Sequence, residues 1–358
     1  MRIALLGDIA LFGECTDSAY FKEIGEYLSG FDYVVGNLET PFSIMKKTNG
    51  AKSAYICSDV ENVAILKQLH INAVTLANNH MFDYGREGYE TTKKVLKENG
   101  IDYFGSEGRV VYIEKNGNKL AFSGFCCFTS NPLNCVRFGE YGVNAYNIDD
   151  VKNVLTHNNN KGFFNIVAVH AGWEHVNYPA IEHVRAARLL AGICPFVYYG
   201  HHPHVVQGME SFSGSLIAHS IGNFCFDDVY SNISKEPLVV LTENNRTGAI
   251  LELTLEGNIL VNWREQPIYI CKGSGIKLNN SIDFQEYNAG LENCEEDVER
   301  YKEKRSLIIN SRISERKSQR DLTWYLKRLR PRYVNVMLNA KRNTNKFRNN
   351  VLNYIQND

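Results

Sequence analysis

Three imidazoles stand within four residues at His201-His202-Pro203-His204, a grouping that is costly to assemble unless a cation or a polar cleft receives it. Five further clusters share this character: Gly7-Asp8, Gly36-Asn37-Leu38-Glu39, Asn78-Asn79-His80, His170 through Glu174, and Ser220 through Asn223. Imidazole nitrogens, carboxylates and amide oxygens are the donors that borderline and hard divalent cations prefer. Thiolates are absent from the clusters, which excludes a site of the zinc-finger kind. Carboxylates can bridge ions about 3.5–4 Å apart and so activate water against a phosphate ester. The expected cofactor is therefore a divalent metal, one or two ions of Mn, Fe or Zn. Each cluster taken singly is weak, because a lone histidine at a strand end is more often a hydrogen-bonded core residue; the reading rests on their convergence.

The elements that must bring them together can be read from apolar runs. Residues 2–7 (RIALLG) form a short buried strand with Asp8 at its carboxyl end, and 32–38 (DYVVGNL) repeat the pattern. Ser58 and Glu61 have the spacing of a capping box opening a helix that ends near Leu69. A strand at 73–77, a loop with Asn78, Asn79 and His80, and a helix from about Arg86 to Asn99 closed by Gly100 follow. Asn116-Gly117 marks a two-residue hairpin. FNIVAVH (164–170) and PFVYYGH (195–201) flank a helix beginning near Pro179, SLIAHSIGNF (215–224) reads as another strand, and 248–264 read as a last hairpin turning at Gly257-Asn258. This alternation with added hairpins predicts an α/β sandwich with mixed sheets. In open α/β folds the carboxyl ends of strands line the ligand crevice, which is where the clusters fall.

The ordered set GDIALFG, GNLETPF, LANNHMFDYG, VAVHAGWEH, GHHPHVVQG and SIGNFCFD, over residues 7–227, resembles the CapA, or poly-γ-glutamate capsule-synthesis, family of the calcineurin-like metallophosphoesterase superfamily. That resemblance implies a four-layer α/β/β/α sandwich with a metal site between the sheets, and a phosphomonoesterase or phosphodiesterase serving capsule or surface-polymer biosynthesis. The alternative is a non-catalytic accessory factor in assembling poly-γ-glutamate or a capsular polysaccharide. By similarity Asp8, Glu39, Asn79, His170, His202 and His204 would hold metal, with Glu174 a further candidate. His80 would face the phosphoryl oxygen or leaving group, Asp83 and Gly85 would shape the loop after it, and His201 joins His80 and Asp83 as a catalytic candidate. Two departures stand out: Asp8-Ile9-Ala10 lacks the histidine of the superfamily's first Asp-x-His motif, and Asn37 occupies a position where aspartate is usual. Either Glu39 or Glu174 then supplies the missing carboxylate, or one ion binds, or the site holds an anion without hydrolysing it.

Composition frames these readings. The 358 residues are 44% apolar and 22% charged, without an apolar run long enough to span a bilayer. MRIALLGD meets an acidic residue too early for an export signal, so a cytoplasmic protein is expected. The nine cysteines lack paired CxxC spacing and read as free thiols, Cys126 and Cys127 as small buried strand residues. The net charge of −1 divides into +12 over residues 300–358 and −13 elsewhere. The expected organisation is a catalytic domain over 1–270 and a helical, basic extension over 271–358. Within it Leu322, Tyr325, Leu326 and Leu329 recur at helical spacing beside Lys327, Arg328, Arg330 and Arg332. This segment packs on the acidic body, holds a polyanionic precursor, or rests on the inner membrane face. Nothing suggests specific nucleic-acid binding. His70, His157, His183 and His219 have no motif partner and are expected on the surface or in the core, while Trp173 stacks on a ligand or packs internally.

Overall fold

The computed structural model describes residues 1–44, 48, 54–230, 237–292, 294–318, 334, 338, 341–342 and 344–352. In chain order it begins with β1 (Arg2–Ile9), α1 (Lys22–Leu28), β2 (Tyr33–Leu38), α2 (Val63–Gln68), β3 (Ala73–Thr75), α3 (Gly85–Glu98), β4 (Asp102–Phe104), β5 (Val111–Lys115) and β6 (Asn118–Cys126). The middle contains β7 (Cys135–Val136), β8 (Val143–Asn144), α4 (Ile148–Asn160), β9 (Phe164–His170), α5 (Ile181–Ala191), β10 (Phe196–His201), β11 (Met209–Phe212), β12 (Ser215–Ala218) and β13 (Asn223–Cys225). The remainder comprises β14 (Val229–Tyr230), β15 (Pro237–Val239), α6 (Glu243–Arg246), β16 (Thr247–Glu256), β17 (Ile259–Cys271), β18 (Gly275–Leu278), α7 (Gln285–Glu292), α8 (Val298–Ser318) and a short helix at Asn349–Leu352.

Two mixed sheets result. The first has the order β18-β17-β16-β1-β2-β3-β4, with β13 also paired to β1, and the second runs β11-β12-β10-β9-β6-β5. β1 is apolar on both faces because both are covered: Ile3 and Leu5 point into the core between the sheets, whereas Ala4 and Leu6 join the core under α1, α2 and α3. The second sheet likewise presents Val167 and Val169 to α4 and α5. The layers are therefore α/β/β/α, as expected. Tyr33 stacks on Phe122 across the interior with ring centroids 5.4 Å apart, and the Tyr199 hydroxyl donates to the Leu6 carbonyl at 3.0 Å.

Several local expectations change. SLIAHSIGNF is two strands, because Gly222 at φ 72° turns the chain from β12 in the second sheet to β13 in the first. That switch carries Asn223 to the partner position opposite Asp8. Ser58 and Glu61 make no capping box; a 3-10 turn at Val60–Asn62 precedes α2, and the Ser58 hydroxyl donates to the Asp59 carbonyl while accepting from Asn62 Nδ2. Asn116 and Gly117 do form the hairpin turn, at φ 52° and 73°.

The first sheet continues past residue 270 through β18, whose strand signal is too short to read within KGSGIKL. Beyond it, Leu291, Cys294 and Tyr301 of the C-terminal region form a small core with Tyr178, Ile181 and Val184. Phe347 and Val351 are also buried, Val351 among α4 and α5 residues. The apolar and basic stripe from Leu322 to Arg332 lies outside the described residues. Among the described residues, no helix is long and apolar enough to cross a membrane. The nine cysteines are free thiols.

Candidate metal centre

The site lies where the carboxyl ends of parallel strands from both sheets meet. In the first sheet β1 places Asp8 beside Asn37 of β2 and Asn223 of β13, and the pairing register shifts on either side of Asp8. In the second sheet His170 and His201 are direct partners on β9 and β10. The loop after β10 follows with His202 at φ 95° and His204 at φ 56°, left-handed conformations that cost energy for side chains other than glycine and are held by the surrounding contacts.

Two triads of ligand atoms converge here: Glu39, His170 and His202, and Asp8, Glu39 and His204. Within each triad the atoms lie within 4.8 Å of one another, and Glu39 belongs to both. Glu39 Oε1 is 3.8 Å from Nε2 of both His170 and His204 and 4.0 Å from His80 Nε2. Asn79 joins the first group, its Oδ1 lying 2.9 Å from His170 Nε2. The residues fit a divalent cation: the donors are nitrogen and oxygen, Asp8 and Glu39 are fully buried, and buried His202 Nδ1 has no hydrogen-bond partner.

A second set of residues fixes these donors. Asn37 Nδ2 donates to Asp8 Oδ1 at 2.7 Å and lies 3.4 Å from His170 Nδ1, while Asn37 Oδ1 accepts from Asn78 Nδ2 at 3.1 Å. The amide at position 37 thus holds two candidate ligands, which a carboxylate could not do by donation. Asn78 Oδ1 accepts the backbone N–H groups of His80 and Met81, shaping the turn that presents His80. Asn223 Nδ2 donates to the Asn245 carbonyl, so its Oδ1 faces His204 Nδ1 at 2.9 Å and leaves His204 Nε2 toward Glu39. Asn245 had no signal in the sequence, since it sits in a four-residue helix far from every cluster.

His80 is the least enclosed of the central group, with 12% of its side chain exposed. Its Nδ1 is 2.6 Å from Oδ2 of fully buried Asp83, which also accepts the Ile56 N–H at 3.0 Å. His201 is wholly buried behind Asp8, with Nδ1 3.4 Å from Asp8 Oδ1 and its ring edge-on to Tyr199. Glu174 lies outside both triads, 39% exposed, with Oε2 3.9 Å from His175 Nε2. Trp173 is half exposed, His183 and His219 are buried, and His70 and His157 are exposed.

The electrostatics match a cation site. Burial pushes the Asp8 carboxyl up, but hydrogen bonds and charge from His201 and His204 outweigh it and hold the group well below the usual range. Burial and the neighbouring His202 push His170 well down, and burial takes His202 to about 3, so both present neutral lone pairs. His204 goes the other way: burial acts to lower it, yet Glu39 and Asp8 raise it to about 10. Negative charge is concentrated around His204, where a cation would replace the imidazolium proton.

The family model described as "Bacterial capsule synthesis protein PGA_cap" matches residues 2–228. "Capsule biosynthesis protein CapA" of Bacillus anthracis is 28% identical over 277 residues, covering 74% of this chain and 64% of that protein. "PGA biosynthesis protein CapA" of Bacillus subtilis (strain 168) is 26% identical over 227 residues, covering 61% and 60%. The chain thus spans less than two thirds of either Bacillus protein. Among solved structures, a phosphatase from Mycoplasma pneumoniae gives a TM-score of 0.47 at 15% identity, covering 80% of this chain and 98% of that chain. With a family match that spans more than half of its length, the chain belongs to the bacterial capsule synthesis (PGA_cap) family.

Proposed function

We propose that this chain is a metal-dependent phosphoester hydrolase serving capsule or surface-polymer biosynthesis. The observation that carries the reading is Glu39, shared by two triads of ligand atoms beside the Asp83–His80 pair. Asp8, Glu39, Asn79, His170, His202 and His204 would hold one or two divalent ions. Bound metal would supply Lewis acidity toward a phosphoryl oxygen and activate water for attack.

The chain's own residues do the rest. Asp83 accepts from His80 Nδ1, which fixes the ring and leaves Nε2 facing the centre. There His80, when charged, donates to a phosphoryl oxygen or to the departing oxygen. His201 acts through Asp8 as a positioning residue, and Asn223 acts likewise through His204. The names of the Bacillus relatives support a precursor of capsule or of their PGA polymer as substrate, which the hydrolase reading takes to be an anionic phosphate compound.

The test is metal analysis after growth and purification in Mn, Fe and Zn, followed by aryl phosphate monoester and diester assays. Metal-free, inactive protein under all three conditions would refute the proposal. A second reading, an accessory factor for polymer assembly, draws on the buried Ala10, which offers no ligand where the superfamily's histidine is expected. His80→Ala and His202→Ala abolish capsule formation if hydrolysis is the role and leave it intact if the protein is a scaffold.

A further inference from the structure

His175 belongs to neither ligand triad, yet both its backbone and its ring are locked over the histidine loop. Its N–H donates to the Pro203 carbonyl at 2.7 Å, its φ is 63°, and its Nδ1 lies 2.8 Å from Asn245 Nδ2. The Asn245 amide cannot be reversed without cost, because its Oδ1 accepts the Thr242 N–H at 3.2 Å and the Thr242 hydroxyl at 2.7 Å. Its Nδ2 also donates to the His204 carbonyl at 2.9 Å. The amide therefore presents a hydrogen to His175 Nδ1, which must accept, and the proton of the neutral ring resides on Nε2.

That Nε2 faces the partly exposed side chain of Glu174. It lies 3.9 Å from Glu174 Oε2, the His175 ring centroid is 6.3 Å from that of His204, and a tenth of the side chain is exposed. The Glu174 carboxylate in turn acts on both His202 and His204, which places this group of side chains at the metal-ligand loop.

We propose that His175 is a substrate-binding residue that donates its Nε2–H to an anionic oxygen of the substrate beside His204, with Asn245 positioning it by fixing the tautomer. The inference takes the ligand class, a phosphoryl oxyanion, from the phosphoester reading, whereas the donor geometry stands independently. A hydrogen bond to a charged oxygen is worth about tenfold or more in affinity.

The experiment is two-bond proton–nitrogen NMR of the zinc-treated full chain labelled at histidine nitrogens, with His175→Phe assigning the resonance. The expected wild-type signature is a proton on Nε2, and titration with inorganic phosphate should shift that signal. Asn245→Asp, which replaces the donor with an acceptor, should move the proton to Nδ1. His175→Phe should weaken phosphate binding about tenfold by calorimetry. A wild-type proton on Nδ1, or an Nε2 signal indifferent to phosphate, overturns the proposal even if the variants misfold. If the wild type binds phosphate through His175 but hydrolyses no ester in any metal, the hydrolase reading fails while this one stands.

Discussion

Asp83→Asn isolates the pair thought to act on the leaving group. Asp83 is fully buried, and among the described residues its Oδ2 accepts from His80 Nδ1 at 2.6 Å and from the Ile56 N–H at 3.0 Å. Both donors meet the same oxygen, Oδ2, so an amide that places its oxygen there keeps the shape and both contacts, and the loss is the negative charge. A hydrogen bond to a charged group is worth about 1.5–3 kcal/mol against about 0.5–1.5 kcal/mol for a neutral one, so the loss of about 1–1.5 kcal/mol should lower kcat roughly fivefold to tenfold. The assay is steady-state hydrolysis of an aryl phosphate by the metal-loaded protein, with metal content measured on the same samples. Because Asp83 acts through His80, His80→Ala should remove the benefit of Asp83, and the double variant should be no slower than His80→Ala alone. Near-wild-type kcat in Asp83→Asn with metal retained, or multiplicative losses in the double variant, refutes this reasoning.

Burial lowers His183 from 6.5 to about 3, so the unfolded chain binds a proton that the folded chain refuses as pH falls below 6.5. Stability from this residue is complete above its unfolded value and drains away toward the folded one; about 2 kcal/mol should be gone by about pH 5, and His183→Gln should flatten the urea-unfolding profile over that range. An unchanged slope contradicts the assignment. Tyr301→Phe removes the hydroxyl that donates to the Pro179 carbonyl at 2.9 Å, so urea titration should show a loss of about 1 kcal/mol; no change would mean that α8 does not brace this loop. Gly7→Ala should yield little folded protein, since a Cβ there would sit 2.0 Å from the Gly222 carbonyl oxygen where β13 pairs with β1; a soluble variant with wild-type circular dichroism would show that this close approach is not required.

Much of the site was legible because the candidate metal ligands occupy strand ends, and apolar runs such as RIALLG and FNIVAVH announce those ends directly. Glu39 and the histidine loop could be named on that basis, although sharing of Glu39 between two triads is a property of the folded sheets alone. The continuous run SLIAHSIGNF concealed a change of sheet, because burial makes both strands apolar and only Gly222 marks the break. Asn37 read as a departure from a carboxylate, yet its amide gives Asp8 a donor that aspartate lacks. Asn245 and His175 were illegible as functional residues, since their meaning comes from hydrogen bonds across 70 positions of chain. The Ser58–Glu61 spacing misled because Ser58 is engaged by its neighbours Asp59 and Asn62.

Glu39 belongs to both ligand triads, and the decisive measurement is metal stoichiometry paired with hydrolysis for wild type and Glu39→Gln, both reconstituted with Mn, Fe or Zn. The wild type should retain at least one ion per chain and cleave an aryl phosphate, whereas Glu39→Gln should lose bound metal and activity together while keeping its fold. Equal metal content and equal turnover in the two proteins would contradict the assignment of this carboxylate to the centre.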